Sequence, residues 1–314
     1  YSNLRAHWNE MTLEMQRLEE ENNRIFIDAY GLEDELTPDV PLKEITLTCN
    51  PHYRYGGVKT DEELEALLLA DTMREFISYA VGCMFGRYSI DKPGLVLANQ
   101  GETYEDYCRL VPDSSFPADK DNVIPILDGE WFSDDIVGNF KKFLKVTFGE
   151  NHYDENLRFI ENAIGKDIRN YFLREFYDDH VRRYKKRPIY WMFSSPSGNF
   201  NALVYMHRYR SDTVSVVRSS YLVEYVSKIT YRIEYLQSTE SSVDVSKSDK
   251  TKALKQLTLL KKTLDELKKY EQDTLFPLAA KKVEIDLDDG VKVNYPKLGN
   301  ALKKIAGLEA KEEE

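Results

Sequence analysis

Positively charged side chains cluster between Arg169 and Arg218, and such a cluster can bind a polyanion. This stretch holds ten lysines and arginines against four carboxylates, although the whole chain of 314 residues has a formal net charge of −11. A local excess of cations attracts phosphate groups, because each neutralised phosphate releases its counterions. The alternative is a solvated helix end, where the helix dipole favours positive charge.

The densest cations form the sequence RRYKKR directly before Pro188, and another pair follows about twenty residues later. The candidate phosphate-binding residues are Arg182, Arg183, Lys185, Lys186, Arg187, Arg208 and Arg210. Arginines among them could also read guanine edges, but the sequence does not identify the residues that would enter a groove.

The elements that position these cations are a helix and a β-hairpin. Pro188 ends the helix, since proline lacks the amide hydrogen and disfavours helical geometry in the preceding residue. Two apolar runs, Ile189–Phe193 and Phe200–Met206, are separated by SSPSGN and predict two strands joined by a loop. Both runs are almost continuously apolar, so we expect the hairpin to be covered on both faces, with Tyr190 and Trp191 in the core and not stacked on bases.

Composition restricts the class of protein. The chain is 42% hydrophobic and 31% charged, as in soluble globular proteins, and it has no apolar run long enough to span a membrane. Three widely spaced cysteines without a CxxC pair fit a reducing cytoplasm. Because the chain begins with Tyr1, inside a predicted helix and without a signal peptide, we expect it to be part of a longer protein.

Periodicity predicts an α+β fold that is mostly helical, with small antiparallel hairpins and a long antiparallel helical hairpin. The predicted helices are 4–30, 61–81, Ser133 or Asp134 to Phe148, Asp154–Ile164, Asp167–Lys186, Thr213–Leu236 and Lys250–Ala280. Further predicted strands are Ile45–Cys49, Ile124–Leu127 and a hairpin over Val283–Tyr295, turning at Asp289-Gly290. The predicted domains are a mixed helical region 1–110, a loop or boundary 111–122, and a helical domain 123–314 that contains the β-hairpin (188–206) and the helical hairpin (212–280).

One short motif is compatible with catalysis. Asn50-Pro51-His52-Tyr53 is close to the Asn-Pro-Pro-Tyr of adenine-N6 DNA methyltransferases, in which the asparagine holds the amino group of a flipped base. Histidine replaces the second proline, and no glycine-rich cofactor loop precedes the motif, so we interpret it as a loop after a strand. No phosphate-binding loop, nucleophile elbow or metal-ligand spacing is present, and the sequence therefore predicts no catalytic residue and no metal site.

Several stretches together resemble the C-terminal region of the PglX family, the adenine-specific DNA methyltransferases of BREX phage-defence systems. The stretches are KRPIYWMFSS (Lys186–Ser195), FNALVYMHRY (Phe200–Tyr209), NRIFIDAYGL (Asn23–Leu32), ISYAVGCMFGRYS (Ile77–Ser89), DDIV (Asp134–Val137) and IDLDDGVKVNY (Ile285–Tyr295). They are specific only in combination, and together they cover most of the chain.

The resemblance implies a non-catalytic region that engages double-stranded DNA for a site-specific adenine methyltransferase. The S-adenosylmethionine cofactor of the family is implied for the full-length protein and not for these residues, so whether this chain is an enzyme stays open. The alternative is a module that docks the methyltransferase to other phage-defence proteins through the helical hairpin. A third hypothesis, a self-contained methyltransferase using Asn50–Tyr53, predicts S-adenosylmethionine binding by this chain alone.

Overall fold

The computed structural model describes residues 1–241 and 246–309. Its helices are α1 (Ser2–Tyr30), α2 (Pro51–Tyr55), α3 (Asp61–Met84), α4 (Tyr104–Leu110), α5 (Ile136–Phe148), α6 (Tyr153–Ile164), α7 (Ile168–Arg174), α8 (Phe176–Arg183), α9 (Thr213–Val216), α10 (Val223–Ser241), α11 (Lys247–Tyr270), α12 (Phe276–Lys281) and α13 (Val291–Leu298). Its strands are β1 (Val123–Pro125), β2 (Tyr190–Ser194) and β3 (Asn201–Tyr205). This mostly helical α+β composition confirms the predicted fold class.

The chain forms two compact units. Unit 1 comprises residues 1–76 and 162–165, and unit 2 comprises residues 77–161 and 166–314. The units divide inside α3, whereas the sequence suggested a boundary at 111–122. That segment belongs to unit 2 and follows α4, whose N-terminus is closed by a capping box between Thr103 and Asp106.

A three-stranded antiparallel sheet lies at the centre of unit 2, with β3 between β1 and β2. The β2–β3 hairpin has the predicted position, and its register pairs Tyr190 with Tyr205 and Ser194 with Asn201. Every residue of β3 is buried, as are the first four of β2. The expectation that both faces of the hairpin are covered is therefore confirmed, and Tyr190 and Trp191 are core residues.

The long helical hairpin is also confirmed. Leu236 of α10 packs with Ala253 and Leu257 of α11, while the Arg218 Nε lies 2.5 Å from the Glu271 Oε1 at the other end. This pairing shows that the two helices run antiparallel. A π-helical segment adjoins each of them: Val217–Leu222 lies between α9 and α10, and Glu271–Leu275 lies between α11 and α12.

The predicted strand Ile45–Cys49 is wrong. Its residues form tight turns, with the Leu47 amide donating to the Ile45 carbonyl at 2.8 Å. Ile45 is fully buried, so its apolar character reflects core packing. No strand is present among the described residues of unit 1 that could pair with this segment, and an unpaired strand would leave its backbone groups without partners.

The predicted hairpin Val283–Tyr295 is wrong as well. A short 3₁₀ turn (Leu287–Asp289) leads into α13, which begins after Gly290 in a left-handed conformation (φ 77°). The buried Asn294 side chain donates to the Gly290 carbonyl at 3.1 Å and also to the Asp286 carbonyl. These bonds stabilise the helical connection in place of the hairpin that Asp-Gly favours locally.

Smaller differences concern helix ends. The predicted helix Asp167–Lys186 is two helices, because the chain breaks at Glu175, whose φ is −126°. Asp135 accepts the first amide hydrogens of α5, a role predicted for Ser133 or Asp134. No helix of the described residues is both long enough and apolar enough to cross a bilayer.

Candidate nucleic-acid interface

The cations before Pro188 lie at the C-terminus of α8 and in the turn that follows. Lys186 donates its amide hydrogen to the Val181 carbonyl at 2.8 Å, and Lys185 donates to the Arg182 carbonyl at 3.0 Å. This pair of bonds is the Schellman arrangement that ends many helices. We call Lys185, Lys186 and Arg187 the basic turn, and all three side chains are exposed.

The backbone of the basic turn is unusual for lysine. Lys185 and Lys186 have φ values of 50° and 61°, in the left-handed region where glycine or asparagine normally stands. A residue with a Cβ loses roughly 1–2 kcal/mol in this conformation. The turn therefore directs two adjacent ammonium groups outward at a cost in stability.

Two clefts flank the basic turn. A cleft of about 810 Å³ is lined by Lys185, Lys186, Arg187 and Lys292. A neighbouring cleft of about 460 Å³ is lined by Arg182, Lys185, Lys186 and Lys304. Because both clefts share Lys185 and Lys186, they form one continuous basic surface around the turn.

This basic surface holds six cations: Arg182, Lys185, Lys186, Arg187, Lys292 and Lys304. The two carboxylates that also line it each have a lysine nearby: Asp178 is 2.8 Å from Lys303, and Asp289 is 3.7 Å from Lys297. His207 lines the larger cleft too, but burial and the Arg87 charge lower its pKa. The neutral imidazole therefore adds no charge at pH 7, and the surface remains strongly positive.

Individual cations differ in how firmly they are held. The Arg182 guanidinium pairs with Asp179 one turn earlier in α8. Lys186 Nζ donates to the Ala306 carbonyl at 3.2 Å, which ties the turn to the C-terminal segment. Arg183 is exposed on the same helix end, but it does not line either cleft.

Residues 287–308 form the opposite wall of the clefts and are anchored to the sheet. The Lys303 amide donates to the Met192 carbonyl at 2.8 Å, and Leu302 forms an isolated bridge with Phe193. The Tyr295 ring packs edge-on against Trp191, with centroids 4.9 Å apart. Lys292 and Lys304 reach the basic surface only through this tertiary packing, so no local sequence signal points to them.

Arg208 has a different environment from the basic surface. Its side chain is buried and donates to the carbonyls of Phe85, Asp119 and Lys120 at 2.8–3.2 Å. Burial and the neighbouring Asp121 carboxylate raise the pKa of Asp119 to about 8, and the nearby Arg208 charge opposes that rise. Arg208 thus binds two backbone segments, at Phe85 and at Asp119–Lys120, and its guanidinium is engaged inside the protein.

Arg210 lies beside Arg208 and is exposed. It forms a two-bonded ion pair with Asp212, at 3.1 and 2.6 Å. Both arginines line a cleft of about 320 Å³ that also contains Glu102, Glu105 and Asp121. This cleft shares no residue with the basic surface, so the structure does not bring Arg208 and Arg210 together with the other candidate residues.

The Asn50–Tyr53 motif is the start of α2. The Asn50 side chain is fully buried and donates to the carbonyls of Leu42 and Ile45 at 2.7 and 2.9 Å. Its oxygen accepts the His52 amide hydrogen at 3.1 Å, as an N-cap does. Both ends of the amide are therefore engaged in holding the chain, which is not the geometry of a group that binds a flipped adenine.

Within the described ranges, histidines, cysteines and carboxylates do not gather into a group of three or more that could hold a metal ion. The basic surface offers ammonium and guanidinium groups, which are the side chains that pair with phosphate.

The fold and its basic surface define a helical α+β region suited to contact with a polyanion. No family model matches the chain. The adenine-specific methyltransferase BrxX of Escherichia coli O9:H4 (strain HS) is 37% identical over 313 residues, which cover 94% of this chain and 25% of that protein. The adenine-specific methyltransferase PglX of Lacticaseibacillus casei (strain Zhang) is 39% identical over 290 residues, covering 89% of this chain and 22% of that protein.

This chain is homologous to the BrxX and PglX adenine-specific methyltransferases along nearly its whole length. It spans about a quarter of the length of these two relatives. The resemblance to the PglX family is therefore confirmed for the region that the chain represents.

Proposed function

We propose that this chain is the DNA-engaging, non-catalytic region of an adenine-specific DNA methyltransferase of a BREX phage-exclusion system. The observation that carries the proposal is the basic surface, where six cations meet two carboxylates on a protein with a net charge of −11. The basic surface contacts phosphates of double-stranded DNA and positions the duplex. The full-length methyltransferase binds S-adenosylmethionine outside these residues and works in the cytoplasm.

Charge reversal tests this function. We expect Arg187→Glu with Lys292→Glu and Lys304→Glu to weaken binding of a duplex by at least about tenfold at fixed salt, since three phosphate contacts become repulsive. This variant leaves Lys185 and Lys186, the two lysines with a left-handed backbone conformation, unchanged. The matched control is Lys261→Glu with Lys262→Glu and Lys268→Glu on α11, where the lysines are also exposed. Equal losses in both triple variants would show that only the overall charge matters.

The second candidate function is a protein-docking module. The helical hairpin exposes several large apolar or aromatic side chains, among them Tyr231 (74% exposed), Tyr235 and Leu259 (63% exposed). Such side chains are enriched at protein interfaces. This function predicts that other phage-defence proteins bind the chain with weak salt dependence and that Tyr231→Ala with Leu259→Ala abolishes binding, while DNA affinity is unchanged.

A further inference from the structure

The helix α1 carries a heptad repeat of apolar residues along most of its length. Steps of four and three residues alternate through the seam, which consists of Leu4, Trp8, Met11, Met15, Leu18, Asn22, Ile25 and Ala29. This spacing keeps the side chains on one face, as in helices that pack against a partner helix. Asn22 is the one polar residue of the seam, and a polar residue at such a position fixes the register of a partner.

Unit 1 uses a different face of α1 for its own packing, and that face is largely polar. Gln16 Nε2 donates to the Val40 carbonyl at 2.7 Å, and Asn23 Nδ2 donates to the Pro38 carbonyl at 3.2 Å. Arg5 Nε lies 2.7 Å from the Glu65 Oε2 of α3. Thr12 and Ile27 are the residues of α1 that are buried.

The apolar seam is left at the surface. Leu4 and Met11 are 44% exposed, Leu18 is 46% exposed and Ile25 is 60% exposed, while Trp8 and Met15 are half-buried. A helix normally turns its apolar stripe to its own core and its polar face to solvent. The reversed arrangement in α1, sustained over four heptads, is typical of a surface that another element covers.

The flanks of the seam are acidic. Glu14, Glu21 and Asp28 follow one side, and Glu19 lies on the other. Arg17 pairs with Glu14 and Glu21, at 2.9 and 2.7 Å, but four carboxylates against one arginine leave the flanks with a net negative charge. Helix α1 as a whole has six carboxylates and three arginines. Two copies of α1 would bring like charges together, whereas a helix flanked by lysine and arginine would form ion pairs along the seam.

We propose that this seam is the docking surface for an α-helix that has an apolar heptad and basic flanks. The helix comes from the part of the family's methyltransferases that these 314 residues do not match, which is about three quarters of the two relatives. The docking holds this region in a fixed position on the rest of the enzyme. It is separate from the basic surface, which belongs to unit 2.

Overlapping peptides from the unmatched three quarters of the E. coli relative are the probe, and fluorescence anisotropy with the 314-residue chain is the readout. We expect the peptides that bind to contain a 3–4 apolar repeat flanked by Lys and Arg. Leu18→Lys should weaken their binding at least about tenfold. Glu14→Lys with Glu21→Lys should weaken it too, since the ion pairs are reversed.

The matched control is Leu13→Lys. Leu13 is 48% exposed, against 46% for Leu18, and lies on another face of the same helix. The Leu13→Lys variant should bind the peptides as the unmodified chain does. Thermal unfolding should show that the Leu13→Lys and Leu18→Lys variants are both folded. The proposal is overturned if no peptide binds or if Leu13→Lys and Leu18→Lys have the same effect. It is also overturned if sedimentation shows a dimer of the chain that Leu18→Lys dissociates, since a second copy then covers the seam.

Discussion

At the scale of single residues, the basic turn has a backbone conformation that costs stability, and its lysine side chains are exposed. Lys185 stands at the position after the helix end where glycine is the usual residue, and its φ is 50°. Because lysine is strained there, the backbone preference does not account for this residue, whereas the proposed phosphate contact would.

We therefore expect Lys185→Gly to raise the free energy of unfolding by about 1 kcal/mol, since glycine adopts this conformation without strain. The same substitution should weaken DNA binding, because one ammonium group of the basic surface is lost. Urea denaturation and duplex titration measure the two effects. Lys261→Gly, in the exposed middle of α11, is the control and should lower stability by about 1 kcal/mol. If Lys185→Gly lowered the free energy of unfolding, the conclusion that the Lys185 backbone is strained would be wrong.

Burial determines the protonation state of His180. It lies in α8 against the rings of Tyr184 and Tyr190, with centroids 4.7 and 4.8 Å away, and its Nε2 accepts the Tyr190 amide hydrogen at 3.1 Å. Burial, helped by the charges of Arg183 and Arg87, lowers the pKa of His180 to about 3. The imidazole is therefore neutral in the folded protein throughout the physiological range.

This pKa makes stability depend on pH in a defined direction. Between pH 6.5 and about 3 the unfolded chain protonates this histidine and the folded chain does not, so stability falls as the pH falls. From pH 7 to pH 5 the loss from His180 alone is about 2 kcal/mol. His180→Gln keeps an acceptor but does not titrate, and it should unfold with a correspondingly smaller dependence on pH.

Denaturant midpoints at several pH values measure this effect. The exposed His152→Gln variant should keep the dependence of the unmodified chain. Parallel curves for the unmodified chain and His180→Gln would show that His180 is not held neutral.

At the scale of elements, a carboxylate of the helical hairpin binds the loop of the β-hairpin. Glu266 of α11 accepts the Ser197 amide hydrogen at 2.8 Å and also bonds to the Asn199 side chain, both in the β2–β3 loop. Burial alone would raise the pKa of Glu266, but the hydrogen bonds from the loop lower it overall. The loop conformation thus depends on α11 as well as on its own turn residues.

Glu266→Ala should lower the free energy of unfolding by about 1–2 kcal/mol, because a backbone and a side-chain donor lose their acceptor. The difference from the unmodified chain should shrink as the pH falls, since a carboxylate with a lowered pKa stabilises the fold only while ionised. Asp265→Ala changes the adjacent exposed carboxylate and should alter stability by less than about 0.5 kcal/mol. Equal effects of the two variants, measured by urea unfolding, would be inconsistent with a bond to the loop.

The two hairpin predictions show how far local sequence determines these elements. The β2–β3 hairpin was predictable because both apolar runs suit a buried strand and the loop between them is rich in turn residues. The alternation of Val283, Ile285 and Leu287 before Asp289-Gly290 gives an equally clear local signal, but these residues form an irregular segment and a 3₁₀ turn, and α13 follows from Val291. There the Asn294 side chain bonds to the nearby Gly290 and Asp286 carbonyls, and the Tyr295 ring packs against Trp191 of β2, so this tertiary contact helps to override the local preference.

At the scale of the whole molecule, the basic surface was predictable only in part. Cations consecutive in sequence, such as Lys185 to Arg187, were found from their density alone. No local sequence pattern predicts Lys292 and Lys304, because residues 287–308 lie beside the basic turn only through their packing on the edge strand β2. In the sequence, Arg208 looks like the other candidate phosphate-binding cations. Its burial and its hydrogen bonds to backbone carbonyls follow from the tertiary fold, so the sequence does not reveal them.

The central claim is that the basic surface holds DNA through its phosphates, and the salt dependence of binding tests it most directly. The logarithm of the association constant of the chain for a duplex should fall linearly with the logarithm of salt, by about 0.9 for each phosphate contacted. Arg187→Glu with Lys292→Glu and Lys304→Glu should reduce that slope by about 0.9 for each contact removed, while the Lys261, Lys262 and Lys268 reversal leaves it unchanged. An identical slope for the basic-surface variant, or no binding by the unmodified chain even at low salt, would contradict the claim.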